Sequence, residues 1–403
     1  MIFVGIDWAE AHHDVSVVDA EGAVLAKGRV PDGIEGVRRL HEMVAEHAED
    51  PSDVVVGIEL DRGLMVGSLV ASGYTVYAVN PLAASRYRDR HATSGAKSDP
   101  GDAKMLADLV RTDRHNHREV AGDSELAEAV KVLARGHQSL IWTRRRQTNA
   151  LRNALREFYP GALQALDDLA SSDAVAVLAA APTPLLGRGL TEARIGRLLK
   201  DGGRQRNTER RAKEIREALQ APQLEAGAVL SDAYGDVVRS LVAVIEGLTK
   251  QIERLQAELA ERFERHPDAE ILLSQPGLGS VLGARVLGEF GDDPNRYADV
   301  KARRCYAGSA PITKASGTRQ VVLARVARNR RLADACYLWA FAALNASPGA
   351  RRYYDAQRAK AKTHHQALRA LSNRLVGILH GCLRHRQPYR EDIAWPTTAE
   401  VAA

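Results

Sequence analysis

The chain has 403 residues, of which 45 % are hydrophobic and 27 % charged, a size and composition that suit a globular protein of two or three domains. No apolar run is long enough to cross a membrane, and the N-terminal "MIFVGIDWAE" lacks the parts of a secretion signal, so we expect a cytoplasmic protein without a membrane partner. Three cysteines without a CxxC pair argue against a disulfide framework or a zinc site.

The first 80 residues alternate strands and helices. Three short strands are predicted within residues 2–30, a helix at 33–48, a strand at 53–60, a helix at 63–73 and a strand at 75–80. A hairpin followed by a βαβ unit predicts a mixed sheet with helices on its faces, as in an RNase H-like α/β domain. We assign this domain to residues 1–160, including a helix from Ser124 to Tyr159.

The second half of that helix is strongly basic. It carries Arg144, Arg145, Arg146, Arg152 and Arg156. Such a face predicts contact with a nucleic-acid backbone.

Residues 161–265 are predicted to be a helical linker and a coiled coil. Apolar residues alternate in steps of three and four at Val238, Leu241, Ile245, Leu248, Ile252, Leu255 and Leu259. This heptad seam favours a coiled coil and therefore a dimer or larger homo-oligomer. The alternative is a helix that packs onto its own domain.

Residues 266–390 are predicted to form a mainly helical C-terminal domain, followed by a tail at 391–403. "LLSQPGLGSVLGARVLGEFG" reads as two helices joined by a Pro-Gly-x-Gly turn, similar to a helix-hairpin-helix that offers backbone N–H groups to a phosphate.

The net charge is only +5, but the basic residues are clustered. No acidic residue lies between Asp299 and Asp334, and Asp355 is the only one in residues 351–390. Such one-signed stretches favour a polyanionic partner, whereas a solvated helix face usually mixes signs. We interpret as candidate nucleic-acid contacts Lys314, Arg319, Arg328, Arg330 and Arg331.

Four acidic residues are the strongest candidates for chemistry. Asp7 and Glu59 end strands expected to be neighbours, so both should reach one edge of the sheet. In "KSDPGDAKMLADLV", Asp99 suits a helix N-cap and Asp102 should lie beside it. Asp14, within the second strand, looks less well placed. Four converging carboxylates would repel one another unless a divalent cation neutralised them, and oxygen ligands favour Mg²⁺ or Mn²⁺, although each acid alone suits a solvated cap.

A serine is a second candidate for chemistry. Ser316 lies between Lys314 and Arg319 on a predicted flexible loop, where Gly317 would allow close approach of a backbone. A hydroxyl can attack a phosphodiester if nearby cations stabilise the developing charge. On composition alone Ser309 is equally eligible, and a loop serine is usually only polar.

Over nearly its whole length the chain resembles the DEDD transposases of the insertion-sequence one-ten group, described as bridge-RNA-guided recombinases. "FVGIDWAEAHHDVSVVD", "GIEL" and "KSDPGDAKMLADL" are similar to the family's RuvC-like domain. "LLSQPGLGSVLGARVLGEFGD" and "YAGSAPITKASG" are similar to its C-terminal transposase domain. The paired blocks in this order are specific to the family.

The resemblance implies a mechanism. Asp7, Glu59, Asp99 and Asp102 would be the acidic tetrad, and Ser316 would be the nucleophile that forms a phosphoserine link to DNA. Strand exchange would pass through a Holliday junction, with the acidic site of one protomer acting beside the serine domain of another in a tetramer. A structured guide RNA would pair with donor and target DNA, and the basic helix would contact this RNA.

Three other functions compete with this interpretation. A RuvC-like nuclease or Holliday-junction resolvase would use the same carboxylates with metal-activated water. An ATP-binding protein of the sugar-kinase and actin fold would need a Gly and a Ser or Thr soon after its first-strand Asp, and "DWAEAHHD" has neither. A nucleic-acid-binding protein without catalysis would not need four acids in this pattern.

Overall fold

The computed structural model describes residues 1–91, 98–120 and 122–396. By spatial contacts the chain divides into two compact units, Met1–Gly122 and Asp123–Ala403. The basic helix that we grouped with residues 1–160 therefore belongs to the second unit by its packing. The boundaries at 160 and 265 stay predictions, and residues 397–403 of the predicted tail lie outside the described residues.

The first unit contains a mixed sheet, as predicted, and the sheet has a sixth strand that the sequence did not predict. Its strands are β1 (Ile2–Trp8), β2 (His12–Val18), β3 (Val24–Pro31), β4 (Val54–Ile58), β5 (Thr75–Ala78) and the short β6 (Arg118–Glu119). The spatial order is β3-β2-β1-β4-β5-β6. Strands β1 to β3 form an antiparallel meander, β1, β4 and β5 are parallel, and β6 is antiparallel to β5.

Helices cover both faces of this sheet. They are α1 (Ile34–Ala45), α2 (Leu64–Ala71), α3 (Pro81–His91) and α4 (Asp99–Asp113). Since side chains alternate along a strand, Val4 and Ile6 of β1 pack with α1 and α2, whereas Phe3 packs with α3 and α4. Ile34, predicted on the buried face of α1, is 91 % exposed because it is the first residue of the helix.

A pair of glycines lets α4 lie directly on the sheet. Gly5 of β1 and Gly57 of β4 are partners in the parallel register. A Cβ at Gly5 would collide with the backbone of Ala103 and Ala107, and one at Gly57 would stand 2.8 Å from the carbonyl oxygen of Leu106. The α4 backbone therefore approaches the strands more closely than any side chain would permit.

This contact predicts the effect of adding one methyl group. Gly5→Ala should lower the free energy of unfolding by about 1–3 kcal/mol, the usual range for overpacking, because α4 must move away from β1. Gly67→Ala in α2 is a matched control, since nothing lies within 4 Å of its added Cβ and alanine favours a helix. Urea denaturation of both variants measures the difference, and equal stabilities would contradict this role for Gly5.

The second unit is built around two long antiparallel helices, α5 (Glu125–Phe158) and α11 (Ala228–Glu264). Short helices fill the interval between them, namely α6 (Pro160–Ala165), α7 (Ser172–Ala180), α8 (Pro184–Arg188), α9 (Glu192–Asp201) and α10 (Thr208–Gln220). Among the described residues no helix combines the length and apolar character needed to span a membrane.

The predicted heptad seam lies on α11, and α5 of the same chain packs along it. Val238 and Ile245 cluster with Leu151 and Leu155 of α5, and further on Leu259 clusters with Val130. This contact agrees with the alternative that we considered above, in which the helix packs onto its own domain. It therefore gives no support for an oligomer by itself, and an oligomeric state stays a prediction.

The remainder of the second unit is mainly helical, as predicted for residues 266–390. Its helices are α12 (Ala269–Leu273), α13 (Ser280–Phe290), α14 (Val300–Tyr306), α15 (Arg330–Ala346), α16 (Pro348–Ala359), α17 (His364–His385) and α18 (Glu391–Ala394). The Pro-Gly-x-Gly turn joins α12 and α13, with Gly277 at φ +83° and packed on the α15 backbone at Ala342 and Ala343. Packing alone thus requires this glycine, and phosphate contact at the turn stays a prediction.

Candidate acidic active site

The sheet carries Asp7 and Glu59 to the edge where α4 begins. Phe3, Gly5 and Asp7 share the face of β1 that packs on α4. On β4 the same alternation holds for Val55 and Gly57, and Glu59 follows directly after the strand. In the parallel register Ile6 pairs with Ile58, so Asp7 and Glu59 occupy matching positions on neighbouring strands.

Two further carboxylates come from the start of α4. Ser98 is the N-cap, with its hydroxyl accepting a hydrogen bond from the backbone N–H of Gly101 at 3.3 Å. Our prediction of Asp99 as the cap was wrong by one residue, and the carboxylate of Asp99 is therefore not engaged in that cap. Asp102 is buried, and the side chain of Asp99 is 60 % exposed.

The electrostatics of Asp7 show that these acids lie close together. Its pKa is raised from the ordinary value of 3.8 to about 6, first because burial disfavours the charged form and then because of negative charge on Asp102, Asp99 and Glu59. Asp14 adds a smaller effect of the same sign. The four predicted acids thus share one edge of the sheet with Asp7 among them, and their role as metal ligands stays a prediction.

Two arginines hold part of this negative charge in place. Arg29 of β3 contacts the carboxylate of Asp14 at 2.8 Å and that of Asp99 at 3.6 Å. Arg88 of α3 contacts Asp102 at 2.7 Å. Arg29 and Arg88 thus neutralise part of the charge of Asp14, Asp99 and Asp102, while burial and the remaining negative charge keep the pKa of Asp7 raised.

Asp14, which we judged less well placed, belongs to this site. It lies directly opposite Asp7 in the antiparallel register of β1 and β2, so both side chains project from the same face. With His12 and Asp99 it forms the single group of three possible metal-ligand residues found in the described part of the chain, with ligand atoms all within 4.8 Å of one another. Of the predicted tetrad only Asp99 belongs to this group.

Two sequence signals could have revealed this arrangement. The connection between β1 and β2 is only three residues long, which fixes the pairing and places position 14 opposite position 7. "VGID" and "VGIE" also repeat at residues 4–7 and 56–59, with the glycine two positions before each acid. Nothing in the sequence pattern indicated Arg29 or Arg88, because those contacts depend on packing between distant elements.

The raised pKa of Asp7 predicts how stability depends on pH. A carboxyl whose pKa is higher folded than unfolded stabilises the protein at low pH, and this contribution is lost as pH rises through about 6. In EDTA, the melting temperature of the wild type should therefore fall relative to that of Asp7→Asn between about pH 4 and 6.5, an interval that covers the ordinary and the raised pKa of Asp7. Adding Mg²⁺ at pH 7.5 should raise the melting temperature of the wild type and leave that of Asp7→Asn nearly unchanged. Parallel pH profiles for the two proteins would contradict the repulsion that we describe.

Ser316 lies on a β-hairpin, and our prediction of a flexible loop was wrong. Strand β7 (Ile312–Ser316) pairs with β8 (Arg319–Leu323), and Gly317 opens the turn at φ +55°. Ser316 is exposed and lies opposite Arg319 in the register, with Lys314 two residues earlier on the same strand. Both cations therefore share the hairpin face of the serine.

Ser309 occupies a different environment from Ser316. It is 6 % exposed, and its hydroxyl donates to the carbonyl oxygen of Arg304 and to Oδ1 of Asn373, each at 3.2 Å. A buried hydroxyl with two partners is a structural group, so the geometry separates two serines that composition could not.

The predicted nucleic-acid contacts differ in their exposure, and some of these side chains also donate hydrogen bonds within the chain. Exposed side chains are Arg145, Arg146, Arg156, Lys314, Arg319, Arg328 and Arg330. Arg144 donates to the hydroxyl of Thr249 at 3.1 Å, and Arg152 donates to a backbone carbonyl. Arg331 donates to Gln138 and Ser139 of α5, so it links two helices within the unit.

A mixed sheet with carboxylates gathered at one edge, together with a helical unit rich in exposed arginine, is the arrangement of an enzyme that acts on nucleic-acid phosphodiesters. Two family models match the chain. The DEDD transposase model of IS110 elements matches residues 4–160, and the model described as "Transposase IS116/IS110/IS902 family" matches residues 269–355.

Relatives match the chain from end to end. The "Mini-circle putative transposase for IS117" of Streptomyces coelicolor is 45 % identical over 410 residues, covering 100 % of this chain and 98 % of the relative. The insertion element IS110 43.6 kDa protein of the same organism is 30 % identical, again over 100 % of this chain and 98 % of the relative. The insertion element IS900 42 kDa protein of Mycobacterium paratuberculosis is 29 % identical over 100 % of this chain and 99 % of the relative. The chain belongs to the IS116/IS110/IS902 family of transposases.

Proposed function

We propose that this transposase cuts and rejoins DNA with two chemical groups, the carboxylates around Asp7 and the hydroxyl of Ser316, at sites chosen by a structured guide RNA. The observation that carries the proposal is the convergence of Asp102, Asp99 and Glu59 on Asp7; burial first, and then these negative charges, raise the pKa of the Asp7 carboxyl to about 6. Neighbouring carboxylates that repel one another destabilise the folded protein. Such clusters are therefore expected mainly at functional sites.

The donor set suits Mg²⁺ or Mn²⁺. Asp7, Glu59, Asp99 and Asp102 offer only carboxylate oxygens, which hard divalent cations prefer, and a cation would relieve the repulsion at Asp7. When bound, the cation would neutralise charge on the scissile phosphate. Arg29 and Arg88 would keep Asp99 and Asp102 oriented, and α4, held close by Gly5 and Gly57, would keep both at the edge of the sheet.

The hydroxyl of Ser316 would be the attacking group. Its oxygen forms a bond to phosphorus, its proton passes to a base, and the bond from phosphorus to a deoxyribose oxygen breaks and leaves a free DNA hydroxyl. A hydroxyl of the partner strand then attacks the phosphoserine, which restores the serine and joins the strands. Lys314 and Arg319, on the same hairpin face, would stabilise the negative charge of both transition states.

Reconstitution tests this function. Purified protein, DNA carrying the element ends, target DNA and RNA transcribed from the non-coding flank of the element are mixed with Mg²⁺, and new junctions are counted by sequencing. We expect junctions only when all components are present, and none in EDTA. Junctions formed without RNA would contradict the role of a guide RNA. Cleavage without joining would favour a resolvase that uses water as the nucleophile.

A further inference from the structure

A large basic recess lies within the second unit. Its volume is about 770 Å³, and its wall is formed by α5, α15, α17 and the segments that follow α14 and β8. Its wall includes two aromatic residues and four arginines, namely Trp142, Tyr337, Arg325, Arg328, Arg330 and Arg369. We call this recess the Trp142 cavity.

In the described part of the chain, the arginines of the Trp142 cavity have no carboxylate partner that neutralises their positive charge. Asp334, which also lines the wall, already accepts hydrogen bonds from Arg285 at 2.6 Å and from Gln138 at 3.0 Å. Four guanidinium groups without a counter-charge in one recess favour an anionic ligand.

The aromatic side chains are held in fixed positions. Arg331 stacks on one face of the Trp142 ring at 4.8 Å and is itself held by Gln138 and Ser139. The Tyr337 hydroxyl is bonded to Nδ1 of His365 at 3.0 Å. Trp142 is 37 % exposed and lines the recess, so part of its indole is accessible to a planar ligand.

Fixed rings beside uncompensated arginines are the elements that recognise an unpaired nucleotide. A base stacks on the ring, and guanidinium groups bind the phosphate. A base inside a duplex cannot reach such a ring, because it is stacked between its neighbours. The cavity volume lies within the range of about 300–1,000 Å³ that accommodates a small organic ligand.

We propose that the Trp142 cavity binds one unpaired nucleotide of the DNA strand that the enzyme processes, with its base against Trp142 and its phosphate among the arginines. This assignment rests on the proposed function, which supplies the DNA. Ala324 of the wall directly follows β8 and is five residues from Arg319, the register partner of Ser316, or roughly 17 Å along the strand. The cavity would thus anchor a strand beside the hairpin that carries the serine.

Binding measurements in EDTA test the cavity without requiring catalysis. The probes are a fluorescein-labelled single-stranded oligothymidylate of twelve nucleotides and a duplex of the same length. Trp142→Ala and Arg369→Ala should each raise the Kd for the single strand about tenfold, as expected for loss of one base stack or phosphate contact, and change the Kd for the duplex less than about twofold. Arg254→Ala, which removes an exposed arginine from α11, is the matched control and should leave both values unchanged.

Further measurements exclude misfolding of the variants as the cause of lost binding and test whether the bound nucleic acid is DNA or RNA. Trp142→Phe keeps an aromatic ring, so it should retain single-strand binding. With an unlabelled oligothymidylate we expect tryptophan fluorescence of the wild type to be quenched on binding, and this quenching should be smaller in Trp142→Phe. An equal loss for both probes, or no loss in any variant, would overturn the proposal. An effect confined to an oligouridylate probe of the same length would overturn the assignment to DNA. Intact cavity binding in a protein that forms no junctions would refute the proposed function alone.

Discussion

Asp7→Asn should reduce junction formation by at least about 10²–10³-fold while changing DNA affinity less than about twofold. The reason is electrostatic: Asp7 lies among Asp102, Asp99 and Glu59, so its charge contributes most to binding a cation at that edge. Asparagine has nearly the same shape without the charge. Junctions are counted with Mg²⁺ present, and DNA affinity is measured by fluorescence anisotropy in EDTA.

The matched control for this experiment lies on the same sheet. Asp53→Asn changes an exposed carboxylate directly before β4, at the end opposite to Glu59, and should leave junction formation unchanged. Loss of DNA binding in Asp7→Asn, in parallel with loss of junctions, would indicate a structural role. Because removing the charge of Asp7 relieves repulsion, the melting temperature of the variant in EDTA at pH 7.5 should be no lower than that of the wild type. A loss of junction formation could then not be attributed to unfolding of the variant.

The position of the acidic site could be predicted from sequence because strand periodicity and strand order are local signals. An apolar run that ends in Asp7 and another that ends in Glu59 indicate two buried strands, and the βαβ order makes them parallel neighbours. The spacing of Asp99 and Asp102 indicated one helix end. These features follow from chain geometry within short segments.

The sequence left alternatives open, or misplaced a boundary, where long-range packing decides between local possibilities. The heptad seam of α11 is the same pattern whether its partner is another chain or α5, and only the three-dimensional arrangement shows that α5 covers it. Ser98 and Asp99 are both good N-caps, and the helix began one residue earlier than we expected. Asp14 was set aside because the register of β1 and β2 was not used.

The hairpin of Ser316 is a further case in which pairing was not evident from pattern. "ITKASGTRQVVL" carries a Gly-Thr turn flanked by residues of mixed polarity, and nearly every residue of β7 and β8 is exposed. A strand without a buried face shows no apolar alternation, so the periodicity that revealed β1 and β4 is missing here. The pairing nevertheless sets which cations lie beside the serine.

Ser316→Ala should eliminate a covalent protein–DNA adduct and reduce junction formation by at least about 10³-fold, because no other group replaces an attacking oxygen that has been removed. The wild type is incubated with labelled DNA and Mg²⁺, denatured in detergent and separated by electrophoresis, so that a covalent complex migrates as labelled protein. Acid hydrolysis of that complex should yield phosphoserine. DNA affinity in EDTA should stay within about twofold of the wild type.

Thr318→Ala is the matched control, since it removes an exposed hydroxyl two residues away in the same turn and should leave the adduct intact. An adduct that persists in Ser316→Ala would assign the attack to another residue. Cleavage by the wild type without any adduct, with oxygen from labelled water entering the product phosphate, would establish water as the nucleophile and the resolvase mechanism in place of ours. Arg319→Ala distinguishes the two cases further: if Ser316 attacks, loss of the cation opposite it in the hairpin register should slow adduct formation while leaving DNA affinity nearly unchanged.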